Sequence, residues 1–315
     1  MKHFLRKNIL FSAILILFIV IFIFFISKIY KYQPSEMYYY SDFIEAFSEK
    51  DFEVVALGNS KLLASIDKKN LEQNLGLKSV ILGCSSANIS ISKLTLESYL
   101  NKCSVKPRIV LLEVSWFTFN NKRTHFHNIS GDLFINDYKL WKNYLDYYPE
   151  INNKFRSAIS RRLRNLGKKE PKNLSFEKRF KKKSPLSKDY IFKIKDFEVI
   201  FPSHIAGVNE LLLKDFKSIV SMCRESNIEL ILFSAPEDEE YSKMQKDIKE
   251  IKEIFHKATI DNSNVLYLDY TLGGDFWDKK YEMWLRNSHH INENDLFTKV
   301  LVRDIKALTH SKELW

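Results

Sequence analysis

Short apolar runs alternating with longer amphipathic stretches predict an α/β domain, a mainly parallel sheet with helices on both faces. Five runs, at 52–58, 79–83, 108–114, 228–233 and 265–269, are rich in Val, Ile and Leu and lack the regular polar alternation of a half-exposed strand. Each suits a strand covered on both faces. Between and after them, helical patterns occupy 66–75, 88–101, 209–226, 237–259 and 293–308. The 24 Phe and 15 Tyr among 315 residues supply a substantial core and argue against a disordered chain.

Taken in order, the chain opens with residues 9–26, apolar except for Ser12 and free of charge. At about 1.5 Å per residue such a helix spans roughly 27 Å, close to the hydrocarbon thickness of a bilayer. Phe24, Phe25 and Ile26 run into Ser27-Lys28-Ile29-Tyr30 with no small-residue cleavage pattern, so 1–30 reads as an uncleaved transmembrane signal anchor. Lys2, Arg6 and Lys7 precede it, which puts the N-terminus in the cytoplasm and the following domain outside. Residues 31–51 form a Tyr- and Ser-rich linker with a short helix at 42–47, and the α/β domain is expected over 52–315.

One stretch, about 116–206, interrupts the alternation. It is aromatic, then basic, then aromatic again, and it enters at the carboxyl end of a strand, beside the usual ligand crevice of open α/β sheets. It is either a lid or substrate platform or a satellite core built on its aromatic residues. Within it, 154–188 holds fourteen Lys/Arg against Glu170 and Glu177, while the formal net charge of the whole chain is +10. Such a cluster reads either as a solvated loop or as a contact for polyanions. Nucleic acid is not an expected partner.

Cys84, Cys103 and Cys223 are odd in number, without CxxC or Cys/His spacing, and are expected in core or helix positions. Neither metal nor cofactor is expected: Gly76, Gly83 and Gly167 form no phosphate loop, and Leu272-Gly273-Gly274-Asp275 lacks the lysine of one. Two segments carry candidate chemistry. Leu57-Gly58-Asn59-Ser60 closes the first strand, and Asn287-Ser288-His289-His290-Ile291-Asn292 is expected to open the last helix. A serine on a Gly-assisted turn after a buried strand exposes its hydroxyl at the sheet edge, as a nucleophile requires. The same serine could equally cap a following helix.

With Ile81-Leu82-Gly83-Cys84-Ser85-Ser86-Ala87-Asn88 and Val110-Leu111-Leu112-Glu113-Val114-Ser115-Trp116-Phe117 between them, these segments follow the block order of a known superfamily. The chain resembles SGNH/GDSL-type hydrolases, most of all their membrane-anchored bacterial envelope branch, related to alginate acetyltransferase and teichoic-acid D-alanylation proteins. The resemblance spans about 52–114 and 211–308. It implies a flavodoxin-like three-layer α/β/α fold with Ser60 as nucleophile, His290 as general base and Asn287 where the family's acid usually stands. It also implies Gly83 as an oxyanion donor, though a plain turn explains that glycine equally. The family's Gly-x-Asn-Asp is absent from the third block, where Ser115 is the nearest polar residue to the oxyanion asparagine. Asn59, Asn88 and Trp116 are the expected substrate contacts. The implied protein is a single-pass enzyme of the bacterial inner membrane, its domain extracytoplasmic, acting as esterase or O-acyltransferase on acylated envelope glycans. The departures at Asn287 and in the third block leave open a catalytically inactive binding or assembly subunit.

Overall fold

The computed structural model describes residues 51–83, 87–116, 118–119, 160, 208–239, 242, 248–287 and 290–309. Apart from Ser160 these belong to one compact unit, 41–129 with 176–315; residues 1–40 and 130–175 form the other, of which Ser160 alone is described. The expected anchor, the short helix at 42–47, Cys84 and nearly all of the 116–206 insertion, basic stretch included, lie outside the described residues. Among the described residues no helix is long and apolar enough to cross a membrane.

Five parallel strands form the sheet: β1 (Val54–Gly58), β2 (Ser79–Gly83), β3 (Ile109–Glu113), β4 (Glu229–Ser234) and β5 (Val265–Asp269). Their spatial order is β2-β1-β3-β4-β5. Every residue of β1, β2 and β3 is buried, which explains why these runs carry no polar alternation: both faces of the sheet are covered. The registers run Val54↔Ser79 through Gly58↔Gly83 and Val54↔Ile109 through Leu57↔Leu112, so β1, β2 and β3 end at nearly one level.

The helices are α1 (Ser60–Ser65), α2 (Lys68–Leu75), α3 (Ile89–Leu100), α4 (Glu210–Glu225), α5 (Ile248–Asp261) and α6 (Asn294–Thr309). Right-handed crossovers dictate their sides. The step from β1 to β2 runs one way along the sheet and the steps from β2 to β5 run the other. Thus α2 lies on one face and α3, α4 and α5 lie on the opposite one. Packing agrees, with α6 against α2 and α3 against α4. Phe119, Phe216 of α4, Phe255 of α5 and Tyr267 of β5 form a ring cluster with centroids 5.3–5.7 Å apart. On the α6 side, Phe297 meets Phe233 and Tyr270.

Local chemistry ends each helix where the chain must turn. The Asp67 side chain accepts from Asn70 N–H to start α2, and Gly76, at φ 72, ends it in the left-handed conformation glycine adopts without strain. Asn88 and Asn209 cap α3 and α4 by accepting from Ile91 and Leu212 N–H. Cys223 is buried in α4 and Cys103 half-buried beyond the end of α3, both as free thiols. Cys103 thus departs from the expected core or helix position.

Two expectations about local structure are corrected. Ser60 does not cap the helix that follows; it is the first residue of α1, and Asn59 is the cap. The segment 287–292 does not open the last helix. A 3-10 helix (Lys279–Trp284) leads into a hairpin of β6 (Leu285–Asn287) and β7 (His290–Ile291), and α6 follows.

Candidate active site

The strand order reverses between β1 and β3, and in open α/β sheets the crevice at that reversal, outside the carboxyl ends of the strands, is where ligands bind. Ser60 lies two residues beyond the end of β1, and Ser115 two residues beyond the end of β3. Ser60 is half-buried.

The turn that carries Ser60 is tightly specified. Asn59, almost fully buried, accepts from Lys61 N–H at 2.7 Å through Oδ1 and donates through Nδ2 to Glu113 Oε2. A Cβ on Gly58 would lie 2.8 Å from Glu113 Cβ and 3.0 Å from Leu62 Cβ, closer than side chains approach, so the glycine lets Glu113 lie against β1. Lys61 Nζ, with no side-chain exposure, pairs with Glu237 of the segment after β4, itself 1% exposed. Serine, asparagine, lysine and two glutamates from three separate parts of the chain therefore converge at one end of the sheet.

Burial pushes the Glu113 carboxyl up from 4.5 to about 7; Lys61 and the Asn59 hydrogen bonds pull it down, and Glu237 pushes it up. Burial wins because Lys61, which draws the carboxyl down, is already paired with Glu237. Glu113 Oε1 is buried without a hydrogen-bond partner.

Opposite the Ser60 turn stands the hairpin. β7, which begins at His290, packs against α1, which begins at Ser60. Asn287 and His290 face each other as an antiparallel backbone pair, and Asn292 N–H donates to Trp284 O at 2.7 Å to close the base. The chain on either side of the hairpin is fixed. At the end of β5, Asp269 accepts from Thr271 N–H and Oγ1 and pairs with Lys252 at 2.7 Å, fixing the departing chain. Beyond the hairpin, Thr298 Oγ1 accepts from Asp67 N–H at 2.9 Å and donates to Asn294 O at 2.7 Å, tying α6 to the turn between α1 and α2.

The remaining candidates have positions of their own. Gly83 ends β2 beside Gly58, and a Cβ there would lie 2.6 Å from Leu63 Cδ2 and displace that side chain, a packing reason for glycine independent of any oxyanion role. Ser115 is buried, its N–H donating to Thr118 Oγ1 at 2.8 Å and its own Oγ without a partner. Trp116 is buried beside it, and Asn88 is buried as the cap of α3. Among the described residues no group of three or more His, Cys, Asp or Glu is arranged to hold a metal ion.

Short motifs do not reveal Lys61, Glu113 and Glu237 as a cluster, because the three lie far apart in the chain. One signal was present: Glu113 is the lone charge in the run 109–117, and a buried strand rarely ends on a carboxylate without a reason.

No family model matches the chain, and no curated protein matches it. Among solved structures, the chain is similar to a Bacteroides fragilis protein described, provisionally, as an acylhydrolase, at 11% identity and TM-score 0.40, covering 81% of this chain and 86% of that one. It is also similar to a GDSL-like lipase from Bacteroides thetaiotaomicron, at 9% identity and TM-score 0.42, covering 88% of this chain and 97% of that one. Identities and TM-scores this low lend the site no support, and its functional reading rests on the chain's own residues.

Proposed function

We propose that this chain is an SGNH/GDSL-type serine esterase or O-acyltransferase, anchored in the bacterial plasma membrane by residues 9–26 and acting on acyl esters of envelope glycans. One observation carries the reading. Ser60 begins a helix on a glycine-assisted turn beside the strand-order reversal, and the hairpin strand that begins at His290 packs against that helix.

In this reading Ser60 Oγ attacks the acyl carbonyl carbon while His290 takes its proton. The carbonyl π bond opens to a tetrahedral oxyanion, held by backbone N–H groups at Ser60 and Gly83. Collapse breaks the bond to the leaving alcohol, which receives the proton from His290, and leaves an acyl-serine. Water or a sugar hydroxyl, deprotonated by His290, then takes the acyl group and restores the hydroxyl. Asn287 would orient the imidazole through its side-chain oxygen. The basic stretch 154–188 would lie against anionic headgroups or glycans.

The test is covalent labelling of the full chain with a fluorophosphonate, beside Ser60→Ala. Labelling of the wild type and none of the variant is expected. Equal labelling of the two would sink the serine assignment. Labelling of neither protein would favour the inactive binding subunit, the reading motivated by Asn287 and the missing Gly-x-Asn-Asp.

A further inference from the structure

The cluster beneath Ser60 contains more than the ester chemistry uses. Lys61 from α1 is engaged by Glu237 from the segment after β4, so the pair is internally neutral. Glu113, from the end of β3, is left without a counterion of its own. Its Oε2 accepts from the Asn59 amide, and its Oε1 is buried with no partner. An orphaned neutral carboxyl oxygen costs far less than an orphaned carboxylate oxygen, so this geometry suits the protonated form. Burial acts in the same direction, lifting the carboxyl to about 7 against the pull of Lys61 and Asn59.

A carboxyl group is a costly occupant for this position, because β3 is otherwise apolar and fully buried. A leucine would fill similar volume without desolvating a polar group. What leucine could not do is hold Asn59. Asn59 is the residue before Ser60, and its other end fixes Lys61 N–H, the residue after Ser60. The Glu113–Asn59–Lys61 chain therefore brackets the serine on both sides. The absence of a Cβ at Gly58 is what lets Glu113 come this close.

Resting on the serine reading above, we propose that Glu113 is a positioning residue for Ser60. As an uncharged carboxylic acid it holds the Asn59 amide, and through it the turn that presents the serine hydroxyl. Ionisation would strengthen the bond from Asn59 but set a second carboxylate against Glu237 in competition for Lys61, pulling on the residue after Ser60 and shifting the turn.

The experiment measures the rate of Ser60-dependent fluorophosphonate labelling of the full chain from pH 5 to 9. It compares wild type, Glu113→Gln and Glu113→Leu, with Ser60→Ala as control and melting temperatures recorded throughout. Glutamine keeps an acceptor for Asn59 and cannot ionise. Glu113→Gln is expected to label within about threefold of the wild type at pH 6 and to lack the decline that the wild type shows above about pH 7. Glu113→Leu is expected to melt no lower than the wild type yet label about a hundredfold more slowly, the scale of a misplaced reacting group. Wild-type labelling in a folded Glu113→Leu would overturn the proposal. So would Glu113→Gln retaining the decline above pH 7, an outcome that stands even if the leucine variant does not fold. Equal labelling of wild type and Ser60→Ala, at any rate including zero, removes the serine reading and this inference with it. Ser60-dependent labelling that ignores Glu113 removes the inference alone.

Discussion

Replacing Lys61 by methionine should be among the most damaging single changes in this domain that touch no aromatic core residue. Lys61 is fully buried and its partner Glu237 is 1% exposed, so neither charge can recover its hydration when the other is removed. Breaking a buried pair from one side typically costs about 3–5 kcal/mol, because a lone carboxylate remains in a low-dielectric site. Here the remainder is worse than a lone charge, since Glu113 lies in the same cluster and loses the cation that draws its carboxyl down. For a domain of this size about 2–4 °C of melting temperature accompanies each kcal/mol, which gives a loss of roughly 6–20 °C at pH 7.5. Protonating the stranded carboxyls relieves the penalty, so the deficit should be smaller at pH 5. The double variant Lys61→Met/Glu237→Leu should recover most of it, because buried ion pairs are often replaced by apolar residues at little cost or with a gain. Melting curves of the four proteins of this cycle provide the measurement. The reasoning is refuted if Lys61→Met loses less than about 1 kcal/mol, or if the double variant is no more stable than the weaker single one.

Two further predictions follow from the same end of the sheet. The Glu113 carboxyl is raised from 4.5 to about 7, so the native state binds a proton across that window and the unfolded state does not. Stability should therefore be highest below about pH 4.5 with respect to this group and fall as pH rises to 7, by on the order of 3 kcal/mol. Glu113→Gln should flatten that slope in denaturant titrations at a series of pH values, and an unchanged slope would mean that another group causes it. Gly58→Ala should cost about 1–3 kcal/mol from overpacking against Glu113 and Leu62, with added strain from φ 157. It should also lower Ser60 labelling, since the new methyl group pushes on the bracket; a variant of unaltered stability would show that the turn relaxes freely.

The five strands are legible in the chain because a fully covered strand must be apolar on both faces, and short runs rich in β-branched residues such as Val54–Gly58 or Ile109–Glu113 fit a strand better than a helix. Helices α4 and α6 are legible within a residue or two because each is long enough to show its period, whereas α3 is buried on most of its surface and is legible by its length and its Asn88 cap. By contrast α1 has six residues, too few to display a helical period, so Ser60 reads as a turn residue when it opens a helix. The hairpin of β6 and β7 is shorter still.

The strand set is legible in the chain because each strand is written in adjacent residues, and the short blocks around Ser60 and His290 make those two residues candidates. Those features follow from patterns within a few residues of each other. What lies beneath the serine depends instead on the assembled sheet. Lys61 and Glu237 are 176 residues apart and Asn59 and Glu113 are 54 apart. No local pattern says which charge will meet which. That is settled by the register of β1 on β3 and β3 on β4, which sets their buried ends side by side and leaves one carboxyl without a cation.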